Sequence, residues 1–151
     1  MSNKVPVLIK KLNKDAILPT RGSDYAAGYD VYANIPQNVV IFPHETKKIG
    51  TGLSIEVNKN YWVGVFARSG LATKEGLRPA NCTGIIDSDY RGEIIVAIHN
   101  DDIQKHVIEP GERIGQLVLM PCYEWDMQEV IELSDTKRAE GGFGSTGMRW
   151  V

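Results

Sequence analysis

Cysteine, histidine and long apolar runs are all scarce in this chain, and each scarcity excludes something. Its 151 residues hold only two cysteines and three histidines. Cys82 and Cys122 form no C-x-x-C pair and stand in no Cys/His spacing, which argues against zinc. With apolar neighbours, both are expected to be buried, reduced thiols of a cytosolic protein. His44, His99 and His106 form no i, i+4 ligand pair and are read as structural. No stretch approaches the ~18 apolar residues of a membrane-spanning helix. Met1 to Lys14 alternates Val5, Val7 and Ile9 where a signal peptide would have a continuous apolar core. A soluble, cytoplasmic protein is expected. Neither charge is in large excess: 17 Lys and Arg against 19 Asp and Glu give a formal net charge of −2. That balance argues against a long nucleic-acid backbone as partner, which calls for a basic stripe. A small phosphorylated ligand remains possible, because a few cations and backbone N–H groups suffice to hold it.

What is present is mostly period two. The length suits one domain, which buries roughly two thirds of its unfolded surface and needs no staples. Val5, Val7 and Ile9 alternate, as do Val39 and Ile41 ahead of Pro43, and Leu53, Ile55 and Val57 ahead of Asn58-Lys59-Asn60. Tyr61 to Phe66, Glu93 to Ile98 and Ile114 to Met120 continue the style. Short strands punctuated by Gly, Pro and Asn predict an all-β barrel or sandwich. One stretch differs: Ser69 to Gly76 opens on an N-cap type residue and closes on a glycine suited to the C′ position, so a short helix is predicted. From about Ser134 the composition turns polar and then glycine-rich. This divides the chain into a β-rich core, 1–134, and a C-terminal arm, 135–151, expected to be mobile until a ligand or another subunit orders it.

Three segments carry candidate chemistry. In Gly84-Ile85-Ile86-Asp87-Ser88-Asp89-Tyr90-Arg91-Gly92-Glu93, apolar residues lead into an acidic turn and Glu93 opens a further strand, a pattern that predicts a hairpin. A carboxylate on a rigid hairpin can serve as general base toward a water, although Asp and Ser are also ordinary turn residues. In Ala67-Arg68-Ser69-Gly70-Leu71-Ala72, a guanidinium, a hydroxyl and the N–H groups of a helix start can hold an anion; the bland alternative is a cap and a surface Arg. Gly142-Phe143-Gly144-Ser145-Thr146-Gly147 has P-loop-like glycines but Met148 and Arg149 where that motif needs Lys and Ser or Thr, and no strand precedes it. Its glycines can still wrap phosphates, and Phe143 can stack on a base. Ala26-Ala27-Gly28-Tyr29-Asp30-Val31-Tyr32-Ala33 reads as a turn into a strand, and so does Pro110-Gly111-Glu112-Arg113-Ile114-Gly115-Gln116.

Taken in order, AAGYDVYA, ARSGLA, GIIDSDYRGE, PGERIGQL and RAEGGFGSTG resemble the five motifs of the trimeric dUTP pyrophosphatases (dUTPases), from about Ala26 to Gly147. The resemblance implies a β jelly-roll subunit, a homotrimer with active sites shared between subunits, and a C-terminal arm that closes them. It implies hydrolysis of dUTP to dUMP and pyrophosphate with Mg2+, which keeps uracil out of DNA and supplies dUMP for dTMP synthesis. By the same resemblance Asp87 is the base that deprotonates the attacking water, and Tyr90 packs against the deoxyribose. Asn81 with the Gly84 to Tyr90 backbone, Ile86 included, reads the uracil. Arg68, Ser69, Gly70 and Gln116 contact phosphates, as do Arg138, Ser145 and Thr146 of the arm. Phe143 with Gly144 covers the base, and Asp30 reaches magnesium through water. Asp89 is expected to be a solvated turn residue. Ala67 departs from a Pro common in the family and Ala139 from a Gly, and Trp150 is an odd tail residue that would dock on a neighbouring subunit. Two alternatives remain: a dCTP deaminase-like enzyme of the same fold, which would need an acid where this chain has Ala97, and a non-catalytic nucleotide-sensing trimer.

Overall fold

The computed structural model describes residues 4–143, 145 and 147. In chain order its elements are β1 (Leu8–Lys11), β2 (Tyr29–Tyr32), β3 (Val39–Ile41), β4 (Thr46–Gly50), β5 (Leu53–Glu56), β6 (Tyr61–Phe66), α1 (Ser69–Glu75), β7 (Leu77–Pro79), β8 (Gly84–Ile86), β9 (Ile95–Asn100), β10 (His106–Ile108) and β11 (Arg113–Pro121). The strands form four antiparallel groups, ordered β1-β5, β10-β3, β2-β11-β6-β8 and β4-β9-β7. Neighbours within each group are mostly distant in sequence. The result is a jelly-roll-like, mostly-β chain with one short helix among the described residues, as the sequence predicts.

Alternation fixes which face of each strand turns inward. In β9, Val96, Ile98 and Asn100 are buried while Ile95 is exposed. Val31, Ile41, Ile49, Leu53, Val63, Val65, Ile108 and Ile114 join Val96 and Ile98 in one apolar core. Each such side chain contributes about 1.5–3 kcal/mol on full burial. β5 departs from alternation, since Leu53, Ser54 and Ile55 are all buried. The cause is a loop on its second face: the Ser54 hydroxyl donates to the Arg91 carbonyl (2.7 Å) and the Gly52 N–H to Glu93 Oε1 (2.8 Å).

Three expectations change here. The 84–93 segment is not a hairpin: β8 pairs with β6, whereas the next strand, β9, begins at Ile95 and pairs with β4 and β7. The acidic turn therefore crosses from one sheet to another. Helix α1 has Arg68, not Ser69, at its N-cap, in extended conformation and without a side-chain capping bond. Its other end is as expected: Gly76 takes φ 65°, a left-handed conformation glycine adopts without Cβ strain, and its N–H caps the Leu71 carbonyl. The cysteines are exposed. Cys82 occupies a left-handed turn position after β7 and Cys122 follows the end of β11, so neither reaches the core.

The last strand ends at Pro121, well before the predicted core boundary at 134. Residues 123–140 are exposed throughout. Among the described residues, every hydrogen bond of the 123–145 segment closes on a partner no more than three positions away.

Candidate active site

The turn between β8 and β9 folds against the body of the chain and forms one wall of a cleft of about 210 Å³. Val65, Asn81, Gly84, Ile86, Asp87, Tyr90 and Glu93 line it. This volume is below the roughly 300 Å³ of a typical drug-sized ligand site, so the cleft suits one small heterocycle rather than a whole nucleotide. Gly84 lies opposite Val65 in the β8-β6 ladder, and a Cβ there would come within 3.0 Å of the Val65 Cβ and 3.5 Å of Asn81 Nδ2. Its missing side chain leaves the floor open to the Asn81 amide. Backbone groups of 84–87 edge the same cleft, and backbone donors and acceptors suit the edge of a flat base.

Asp87 is exposed, and its carboxylate makes no hydrogen bond or ion pair among the described residues. Its carbonyl accepts the Tyr90 N–H (3.1 Å), which closes the turn. The Tyr90 hydroxyl donates to the Glu93 carbonyl (3.0 Å), and Arg91 Nη1 donates to the carbonyls of Ser88 (2.7 Å) and Tyr90 (3.2 Å). The turn is thus braced while the Asp87 carboxylate stays uncommitted, a sound arrangement for a base. Asp89 is exposed, as expected of a turn residue.

A second cluster forms on the β2-β11-β6 portion of the large sheet. Gln116 stands opposite both Asp30 and Phe66 in the register. Its Nε2 donates to the Ala67 carbonyl (2.9 Å), just before Arg68. Arg68 Nε donates to Asp30 Oδ1 (3.1 Å), and Arg113 Nε lies 3.7 Å from Asp30 Oδ2. Ser69 and Gly70 follow at the exposed start of α1, with no acidic residue in the first turn to oppose an anion. Arg113 is the member that sequence reasoning missed. Its only signal was its place in PGERIGQ, and the bulge between Arg113 and Gly115 turns it toward Asp30 and Tyr32. The Tyr32 phenol is held below its ordinary value by its hydrogen bond with Thr20 and then by Arg113.

The two clusters lie on different strands of the large sheet: Asp30 on β2 is three strand steps from Gly84 on β8, about 14 Å at the usual interstrand spacing, and Gln116 on β11 is two. The described residues of the arm join neither. Arg138 Nε donates to the Gly141 carbonyl (2.7 Å), Ser145 N–H donates to the Gly142 carbonyl (3.0 Å), and Phe143 is fully exposed. Ala139 takes φ 44°, a left-handed conformation that favours glycine. Gly144, Thr146 and Trp150 lie outside the described residues. Among the described residues no three metal-ligating side chains come together, and no helix is long and apolar enough to cross a membrane.

Comparison with known proteins agrees with this geometry. The dUTPase family model matches residues 14–147. The chain is 48% identical to the deoxyuridine 5'-triphosphate nucleotidohydrolase of Nautilia profundicola over 92% of its own length and 96% of that protein's. To the enzyme of the same name from Hydrogenobaculum sp. it is 44% identical, over 95% and 99%. A point mutant of the Staphylococcus bacteriophage 80alpha dUTPase, solved with dUpNHpp, superposes with a TM-score of 0.87 at 29% identity, covering 97% of this chain and 100% of that one.

Proposed function

Since the chain belongs to the dUTPase family, it hydrolyses dUTP to dUMP and pyrophosphate, and we propose that it does so with a water activated by Asp87. The observation that carries this reading is the braced turn from which the uncommitted Asp87 carboxylate edges a base-sized cleft that Asp89 does not line. In this reading uracil enters the cleft and meets Asn81 and the backbone of 84–86, where the donor and acceptor pattern rejects the cytosine amine. Ile86 and Val65 leave little room for a thymine methyl. The Tyr90 ring lies under the deoxyribose, where a 2′-hydroxyl would collide with it. Asp87 takes a proton from a water in line with the α-phosphorus, and displacement releases pyrophosphate.

Phosphate oxygens are held by Arg68, Ser69, Gly70 and Gln116, and by Arg138, Ser145 and Thr146 of the arm, while Phe143 and Gly144 cover the base. Preorganised donors of this kind stabilise the charge that develops on the phosphate. The roughly 14 Å between Asp30 and Gly84 inside one chain favours sites completed by other subunits of a homotrimer. The exposed 123–133 segment supports the same assembly: Tyr123, Trp125, Met127, Ile131 and Leu133 form apolar surface that a neighbouring copy would cover. Magnesium fits the second cluster only through water. Asp30 Oδ1 is taken by Arg68, but Oδ2 has only a 3.7 Å approach from Arg113 and keeps lone pairs for a metal-bound water. Bound to the triphosphate, magnesium supplies charge neutralisation; it prefers phosphate and water oxygens to an all-protein cage. A cytoplasmic location is part of the same proposal. Position 97 is an alanine in β9, so the acid that the deaminase-like alternative requires is missing.

Pyrophosphate release measured in parallel with dUTP, dCTP, dTTP and UTP, with and without magnesium, tests the reading. Turnover confined to dUTP and raised by magnesium is expected. Deamination of dCTP, or binding of dUTP without release, would overturn it.

A further inference from the structure

The Tyr90 ring lies across its own turn, over Gly92. A Cβ built at Gly92 would fall 2.5 Å from Tyr90 Cζ and 2.9 Å from Cε2, and closer still to the hydroxyl oxygen. All three nearest atoms belong to that ring. The φ of Gly92 is outside the left-handed region, so the backbone torsion does not call for glycine; only the space does. We propose that Gly92 is a specificity-determining positioning residue: its bare Cα lets Tyr90 lie flat with its hydroxyl on the Glu93 carbonyl, and this pose sets the sugar wall. The proposal rests on the reading of Tyr90 as the deoxyribose-contacting residue.

The consequence of adding a methyl follows from what can move. The backbone around Gly92 is tied down on both sides. The Arg91 carbonyl takes the Ser54 hydroxyl (2.7 Å), the Glu93 side chain takes the Gly52 N–H (2.8 Å), and the Ile94 N–H donates to the Leu53 carbonyl (2.7 Å). Tyr90, by contrast, is half exposed, and its far end is held by one hydrogen bond. A methyl at 92 therefore displaces the ring and breaks that bond while the turn stays in place. The ring leaves the plane where it meets the sugar, and discrimination between dUTP and UTP falls.

The test compares wild type, Gly92→Ala, Tyr90→Ala and the double variant for kcat/KM on dUTP and on UTP, with melting temperature as a control. Gly92→Ala is expected to lower the dUTP-to-UTP ratio at least tenfold with little change in melting temperature. In the Tyr90→Ala background the same methyl should lower the ratio no further, because the partner of the clash is gone. If Tyr90→Ala relaxes discrimination and Gly92→Ala does not, the proposal fails while the reading of Tyr90 stands. If Tyr90→Ala leaves the ratio unchanged, the reading fails and takes the proposal with it. Should Gly92→Ala not fold, the double variant decides: its folding supports a clash with the ring, and its failure to fold places the clash on the backbone and overturns the proposal.

Discussion

Asn100 is the side chain whose loss should cost this fold most for its size. It is fully buried at the end of β9. Its Nδ2 donates to the carbonyls of Ile41 (3.0 Å) and Gln104 (2.8 Å), and its Oδ1 accepts the Asp102 N–H (2.8 Å). It thereby ties β9 to β3 and holds the 101–104 loop, whose Asp101 N–H in turn donates to the Gly76 carbonyl (2.9 Å) at the end of α1. Asn100→Ala removes three hydrogen bonds. Each contributes about 1 kcal/mol at least, and about 2 where burial strands the partner, so the loss is about 3–6 kcal/mol. For a chain of this length that lowers the melting temperature by about 6–24 °C, read by circular dichroism or calorimetry. Asn100→Asp separates bonding from packing: it keeps the acceptor and most of the volume but aims an anionic oxygen at two carbonyls, so it should destabilise at least as much. A drop below about 3 °C for both variants would refute the reasoning, because it would mean the three bonds contribute nothing net.

Two further outcomes follow from surface groups. Asp101 and Asp102 are both held below the ordinary value of 3.8, Asp101 chiefly by its hydrogen bond from Arg78 and Asp102 chiefly by that from His106. Groups depressed in the folded state stabilise above the unfolded value, and that stabilisation is lost as pH falls through the folded one. Melting temperature should therefore fall as the pH drops below about 4, and Asp101→Asn with Asp102→Asn should flatten the fall; an unchanged slope contradicts this. Exposed Cys82 and Cys122 should both react with a thiol reagent such as DTNB in the native protein, and Cys82→Ser should leave only the Cys122 share of that reaction; modification only after denaturation contradicts the exposure.

Much of the fold was legible wherever a strand carries its own pattern. Tyr61 to Phe66 is a strand over the residues its aromatic and β-branched run marks. Thr46–Gly50, Leu77–Pro79 and His106–Ile108 were not legible, because their own residues do not alternate and their pairing comes from distant partners. The 84–93 segment was misread as a hairpin for the same reason: turn chemistry names a reversal but not the strand that pairs beyond it. The site was legible through its ordered motifs, yet the parts that brace it were not. Ser54 reaches Arg91 across 37 positions and Gly52 reaches Glu93 across 41, contacts that no local spacing can announce. Arg113 was hidden similarly, since a bulge decides where it points.

The central claim is that the cleft-lining carboxylate of Asp87, and not that of Asp89 in the same turn, activates the water. Its most direct test is single-turnover pyrophosphate release from dUTP by Asp87→Asn and Asp89→Asn, with dUTP binding measured alongside. Asp87→Asn should still bind dUTP while release falls by about 10²–10⁴-fold, the usual contribution of a general base, and Asp89→Asn should behave as wild type. Undiminished release by Asp87→Asn, or a loss confined to Asp89→Asn, would contradict the account.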